Sequence, residues 1–247
     1  MIQYITSRKN KIVVETIELR KNKIQQEKKL FIIEGEHLLE MANNANNLSY
    51  VLTTKHINSI NQDIDQYIVP KDILEKISVS KSAPNVIGVC KFINDKIETT
   101  SDIVCLDFIQ DPGNLGTIMR SSLAFSYFNI LLSKDSVNKY NEKVVQASQG
   151  SIFNLNIESF DIFTLKDYKN KGYKIVVTTL AKDSINLASF KKNPNEKYIY
   201  VFGNEGNGVR KEIQDIADYK VFIEMENIDS LNVGVAAGIV LYNLKNK

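Results

Sequence analysis

The chain reads as a two-part α/β protein, with a parallel-sheet α/β domain over residues 103–247 preceded by a small α/β module over residues 1–95. Three observations predict this. The later part carries five nearly continuous apolar runs, the pattern of strands buried on both faces of a parallel sheet. Helical segments alternate with those runs. A polar stretch, Asn94–Asp102, separates them from shorter and more mixed elements upstream, so residues 96–102 are read as a linker.

In the first module, residues 7–28 have helical character, with Ser7 placed as N-cap. Leu30–Ile33 is a short apolar strand and Glu34–Ala42 a helix. Tyr50–Thr53, Gln66–Val69 and Val86–Phe92 read as further strands bounded by Asn, Pro and Gly. Beyond the linker, the predicted strands are Ile103–Ile109, Asn129–Leu132, Lys174–Leu180, Tyr198–Phe202 and Lys220–Met225. Helices are expected near 115–126, 138–148, 208–217 and 231–245.

Composition narrows the function classes. Hydrophobic residues at 43% and charged residues at 24% fit an ordinary globular protein, and no apolar run approaches the roughly 20 residues of a membrane helix. MIQYITSRKNK lacks the apolar core of a secretory signal, so a cytoplasmic location is expected. Cys90 and Cys105 make no disulfide framework, and with only His37 and His56 beside them no metal-ligand spacing exists. The overall charge of +2 is uneven. Residues 1–30 hold eight Lys/Arg against three Glu, a local +5 that leaves −3 for the rest. Such a segment, with Arg8, Lys9, Lys11, Arg20 and Lys21, suits a phosphate backbone; it equally suits a solvated helix face.

Seven of the eleven glycines fall in three segments at the ends of predicted strands, where ligands bind in open α/β sheets. The first is DPGNLGTIMR, residues 111–120. Pro112 and Gly113 make a turn, Asn114 is placed to cap the next helix, and Arg120 follows six residues on. The second is GNEGNG, residues 203–208. Its glycine spacing is neither the dinucleotide fingerprint nor a P-loop; it offers backbone that can approach a ligand closely, plus the carboxylate of Glu205. The third is SLNVGVAAG, residues 230–238. Ser230 is read as N-cap, and the small residues allow close packing against a neighbouring helix or another subunit.

In this order and at these strand ends, the three segments resemble the motifs of the SpoU–TrmH family of RNA 2′-O-ribose methyltransferases, of the SPOUT superfamily. ITSRKNKIV and LFIIEGEHLLEMA resemble that family's N-terminal RNA-binding domain, so the likeness spans nearly the whole chain. The resemblance implies a deep trefoil knot in the C-terminal domain, a homodimer, and S-adenosylmethionine as cofactor. It implies a cofactor site at Thr179, Leu180, Gly203, Ile223 and Leu231, and a catalytic group of Asn114, Arg120, Glu205, Ser230 and Asn232. The family's proposals make Arg120's counterpart a general base. Arginine holds its proton to a pH above about 12, so Arg120 is read instead as grip on a phosphate and stabiliser of a developing alkoxide. Two departures stand out: Glu224 where the family usually has Pro, and Gly234 where it usually has Ser.

The type of N-terminal module implies large-subunit ribosomal RNA as substrate, with guanosine favoured over other nucleosides and an antibiotic-resistance role among the possibilities. Rival readings are a tRNA 2′-O-methyltransferase, a non-catalytic ribosome-assembly protein on the same fold, and a nucleotide-dependent dehydrogenase. The glycine spacing argues against the last.

Overall fold

A computed structural model describes residues 1–80, 84–204 and 206–245. The chain divides into two compact units, one of Met1–Asn94 with Lys139–Phe153 and one of Asp95–Asn138 with Asn154–Lys247. Residues 139–153, expected in the second domain, thus group with the first.

The first unit is built on a five-stranded sheet. Its strands are β1 (Ile2–Tyr4), β2 (Leu30–Glu34), β3 (Leu48–Thr53), β4 (Asp65–Ile68) and β5 (Val86–Lys91), in the order β1-β4-β3-β5-β2. The pairings of β4 are parallel and those of β5 antiparallel. The helix expected over residues 7–28 is two: α1 (Lys11–Glu18), capped by Asn10 rather than Ser7, and α2 (Asn22–Lys28). Leu19, the C-cap of α1, is buried in the core with Val13, Ile32 and Ile73. α3 runs from Glu36 to Asn44, and α4 (Lys71–Ile77), not foreseen, buries Ile73, Leu74 and Ile77 after Pro70. The helix Glu142–Ser148 also lies in this unit, against β2.

The second unit holds a seven-stranded, wholly parallel sheet. From β6 (Ile103–Leu106) the chain passes through α5 (Pro112–Ala124) to β7 (Asn129–Ser133). After α6, the Glu142–Ser148 helix, it returns at β8 (Asn156–Phe160) and α7 (Ile162–Asn170). β9 (Tyr173–Thr178), β10 (Ile185–Asn186), β11 (Lys197–Phe202), α8 (Lys211–Gln214), β12 (Tyr219–Phe222) and α9 (Val233–Lys245) complete it. The order β10-β12-β9-β11-β6-β7-β8 places β6 and β11 side by side, with later strands growing away in one direction and β7–β8 in the other. Such a switch point opens a crevice at the carboxyl ends of the strands. The central strands are buried throughout, as their unbroken apolar runs require. Residues 96–102 are no free tether: Ile97 is packed in this core, its N–H donates to Glu158, and Asn129 Nδ2 donates to the Glu98 carbonyl.

Both cysteines are free and buried, and burial pushes both thiols above their usual range. Among the described residues no helix is long and apolar enough to cross a membrane, and no cluster of metal-ligating side chains stands together.

Candidate active site

The first glycine-bearing segment begins where β6 ends. Phe108 takes a φ of +60°, a left-handed conformation that costs an L-residue roughly 1–2 kcal/mol. The strand therefore stops at Leu106 rather than at the predicted Ile109. The turn is fixed from outside: Phe108 N–H donates to Ser133 Oγ at 2.8 Å and Ile109 N–H to Ser136 Oγ at 3.0 Å. The N-cap of α5 is Asp111, which accepts from Asn114 N–H at 2.8 Å; Asn114, expected as the cap, sits inside the first turn. Pro112 at the first helical position loses nothing by lacking an N–H.

With Asp111 as the cap, the Asn114 side chain is turned to other work. Asn232 Nδ2 donates to Asn114 Oδ1 at 2.8 Å. Asn232 Oδ1 in turn accepts from Gly234 N–H at 2.9 Å and Val235 N–H at 3.3 Å, so Asn232 caps α9 in place of the expected Ser230. The small residues of α9 face a helix of the same chain. A Cβ at Gly234 would lie 3.2 Å from Thr117 Cγ2, and one at Gly238 3.7 Å from Ser121 Oγ. Glycine at 234, where the family has serine, thus relieves a tight α5–α9 approach. Glu224, the other departure, accepts from Asn186 Nδ2 at 2.8 Å.

The second segment closes on itself. Asn204 and Gly208 exchange backbone hydrogen bonds of 3.0 and 2.9 Å, and Asn204 Oδ1 accepts from Gly206 and Asn207 N–H. Gly203 is required there: a Cβ would overlap the Gly208 carbonyl carbon and the Val209 nitrogen. The loop is then tied to the first segment. Asn204 Nδ2 donates to the Phe108 carbonyl at 3.0 Å. Arg210 grips the fully buried Asp107, with backbone N–H to Oδ2 at 2.9 Å, Nε to Oδ1 at 2.8 Å and a terminal nitrogen 2.7 Å from Oδ1. Hydrogen bonding to Asp107 raises the Arg210 guanidinium above its ordinary value. Neither Asp107 nor Arg210 was singled out from sequence. An acid at the end of a buried strand was the available signal for the first.

A cavity of about 320 Å³ opens at the ends of β9, β11 and β12. All five residues expected for the cofactor, Thr179, Leu180, Gly203, Ile223 and Leu231, line it, and so does Ser230. Asn204 and Met225, not expected, line it too. Its volume is at the low end of the roughly 300–1,000 Å³ of small-molecule sites. Asp229 is the one ionisable side chain among the described residues of the wall, and no Lys or Arg is present. The glycine spacing of the Gly203–Gly208 loop is not the one that cradles a pyrophosphate, and the described wall offers no cation to one. Apolar sides with exposed peptide groups suit an adenine ring joined to a cationic sulfonium and an amino-acid end.

Of the expected catalytic group, Asn114 and Asn232 are in contact and Ser230 stands at the cavity. Arg120 lies on α5 with its side chain exposed, making no hydrogen bond or ion pair among the described residues. At 100° per residue it is turned about 120° from Asn114 around the helix axis. Glu205 lies outside the described residues.

Residues 101–242 match the family model described as SpoU rRNA Methylase family. The chain is 28% identical, over 99% of its length and all of the relative's, to the 23S rRNA (guanosine(2553)-2′-O)-methyltransferase RlmP of Bacillus subtilis. It is 34% identical to the tRNA (guanosine(18)-2′-O)-methyltransferase of Aquifex aeolicus, over 59% of this chain and 69% of that one. In fold it is similar to the AdoMet-bound rRNA methyltransferase of Sinorhizobium meliloti, with a TM-score of 0.90, 23% identity, and coverage of 99% and 98% of the two chains.

Proposed function

The chain belongs to the SpoU rRNA methylase family, and on that premise we propose that it transfers a methyl group from S-adenosylmethionine to a ribose 2′-hydroxyl of large-subunit ribosomal RNA, at a guanosine. The observation that carries this reading is the cation-free cavity under the Gly203–Gly208 loop, beside the Asn114–Asn232 hydrogen bond. The full-length likeness to a 23S rRNA guanosine enzyme supports the ribosomal substrate over tRNA.

S-adenosylmethionine, when bound, supplies a methyl group already activated by the sulfonium charge. The residues of this chain then have to hold, orient and stabilise. Backbone at Gly203, Ile223 and Leu231, with Thr179 and Leu180, would hold the cofactor. Asn114, Asn232 and Ser230 orient the ribose and the amino-acid end. Arg120, whose guanidinium is not committed elsewhere, grips the neighbouring phosphate and stabilises negative charge growing on O2′. The trefoil threading of the C-terminal part and a cytoplasmic location belong to the same reading.

The test is isothermal titration with S-adenosylmethionine, followed by incubation of labelled cofactor with unmodified ribosomal RNA and mapping of the product. Label on ribose in large-subunit RNA is expected. Label on a base, or on tRNA alone, would overturn the assignment, and no cofactor binding would favour a ribosome-assembly protein.

The first unit is assigned to RNA binding. Lys9 and Lys11 are exposed and without ion pairs among the described residues, whereas Arg8 pairs with Asp72, Arg20 with Glu142 and Lys21 with Glu18. The Arg8 and Lys21 pairs, largely exposed, contribute little stability and yield to a phosphate. Replacing Lys9 and Lys11 by Gln is expected to flatten the slope of log affinity against log salt by about 1.5, since each phosphate contact carries roughly 0.7–0.9. Filter binding across a salt series measures it.

A homodimer is proposed through α9. Val235, Ile239 and Tyr242 are exposed at spacings of four and three residues, an apolar stripe along α9 whose Tyr242 ring also lies 5.5 Å from that of Phe125 at the end of α5. Light scattering is expected to give twice the chain mass, and Ile239→Asp to shift it towards one.

A further inference from the structure

Phe108 is an aromatic residue set where the backbone least favours one. A turn with φ of +60° would be filled more readily by glycine or asparagine. The conformation is instead enforced by Ser133 Oγ on its N–H and Asn204 Nδ2 on its carbonyl, with the preceding Asp107 fixed by Arg210. Strain held in place by several partners gathers at functional sites. Nor does the ring repay the strain by full burial, since the residue is 38% exposed. Its backbone adjoins the site: Asn204, which holds its carbonyl, lines the cavity, and Asn114 follows six residues later. The exposed Lys134 follows Ser133, putting a cation on the same side of the sheet ends.

Resting on the RNA-methyltransferase reading, we infer that Phe108 is a stacking platform for a nucleobase of the substrate RNA, at or beside the nucleotide that is methylated. Aromatic faces accept any base, and Lys134 supplies charge for an adjoining phosphate. The strain is the means by which the loop keeps a large ring outside the core. The platform adds to binding of RNA, and Phe108 is not among the described residues that line the cofactor cavity.

The chain contains no tryptophan, so Phe108→Trp installs a single emitter at the proposed contact. Titrated with an unmodified large-subunit rRNA transcript, its fluorescence is expected to quench with the dissociation constant that filter binding gives. Phe108→Ala is expected to weaken RNA binding roughly 5- to 150-fold, the effect of losing one base stack. Phe108→Tyr is expected to restore it, and the S-adenosylmethionine dissociation constant to stay unchanged throughout. Phe108→Asn suits the positive φ, keeping the loop folded should the alanine variant fail. The inference is overturned if wild type binds the transcript while the tryptophan is not quenched and the alanine and asparagine variants bind as tightly. A wild-type protein that binds no RNA would instead overturn the RNA reading itself, with the cofactor titration still to judge methyl transfer.

Discussion

Arg120→Ala is expected to slow methyl transfer by roughly 10²–10³-fold, the loss seen when a donor aimed at a developing oxyanion is removed. The affinity for S-adenosylmethionine and the melting temperature are expected to hold. This separation follows from where Arg120 lies. Its side chain is exposed on α5, packs into no core, and forms no hydrogen bond or ion pair among the described residues. Removing it leaves no buried partner unsatisfied, the usual source of large stability losses. It is also absent from the cavity wall, so the cofactor has no contact to lose. Single-turnover methylation of ribosomal RNA, calorimetric titration and thermal melting together check all three. Arg120→Lys sharpens the test. Lysine keeps the charge and loses the planar fork, so it is expected to recover little of the rate. Near-normal turnover with lysine would show that a fixed guanidinium is not required.

Much of this site was legible in the sequence because its elements are governed by local rules. Strands buried on both faces read as apolar runs, and β7, β9 and β11 lie within a residue or two of where those runs put them. Of the five residues expected to hold the cofactor, all of which line one cavity, Thr179, Leu180, Gly203 and Ile223 follow the carboxyl ends of the adjacent strands β9, β11 and β12, as the alternation of strands and helices implies, while Leu231 comes from the segment before α9. What local rules did not give was governed by tertiary partners. β1 is exposed along its length, so it has no apolar signature; it exists because β4 offers a free edge. β8 buries only Ile157 and Phe160, three residues apart, so Asn156–Phe160 lacks the two-residue period that marks a strand. The capping errors share one cause. Ser230 and Asn114 are good caps by type, but which polar residue caps a helix depends on where the backbone turns. Asp111 and Asn232 are the residues that immediately precede the first turns of α5 and α9. The Asp107–Arg210 clamp spans 103 residues, and no spacing rule connects its ends.

Gly203→Ala is expected to abolish measurable S-adenosylmethionine binding and to lower the melting temperature, although it adds one methyl group. A side-chain obstacle can rotate away; here the new Cβ overlaps backbone, the carbonyl carbon of Gly208 and the nitrogen of Val209. Overpacking against mobile side chains costs roughly 1–3 kcal/mol, and a rigid obstacle places this variant at or above the top of that range. The least costly relief is to open the Asn204–Gly208 hydrogen-bonded pair and swing the loop outward. Opening it moves Asn204, Gly206 and Asn207, all of which line the cavity, and pulls on the Arg210–Asp107 contact at the loop's end. Calorimetric titration reads the lost affinity, and hydrogen exchange reads its cause, as faster exchange at Gly208 and Arg210, whose N–H groups are bonded in the closed loop. Gly206→Ala is the control. A Cβ there meets only Asn204 Oδ1, at 3.5 Å, an ordinary contact, and its φ is not in the left-handed range. It is expected to bind cofactor far more nearly as the wild type does. Equal losses in the two variants would show that the loop demands glycine for flexibility in general, and not for the backbone approach at residue 203.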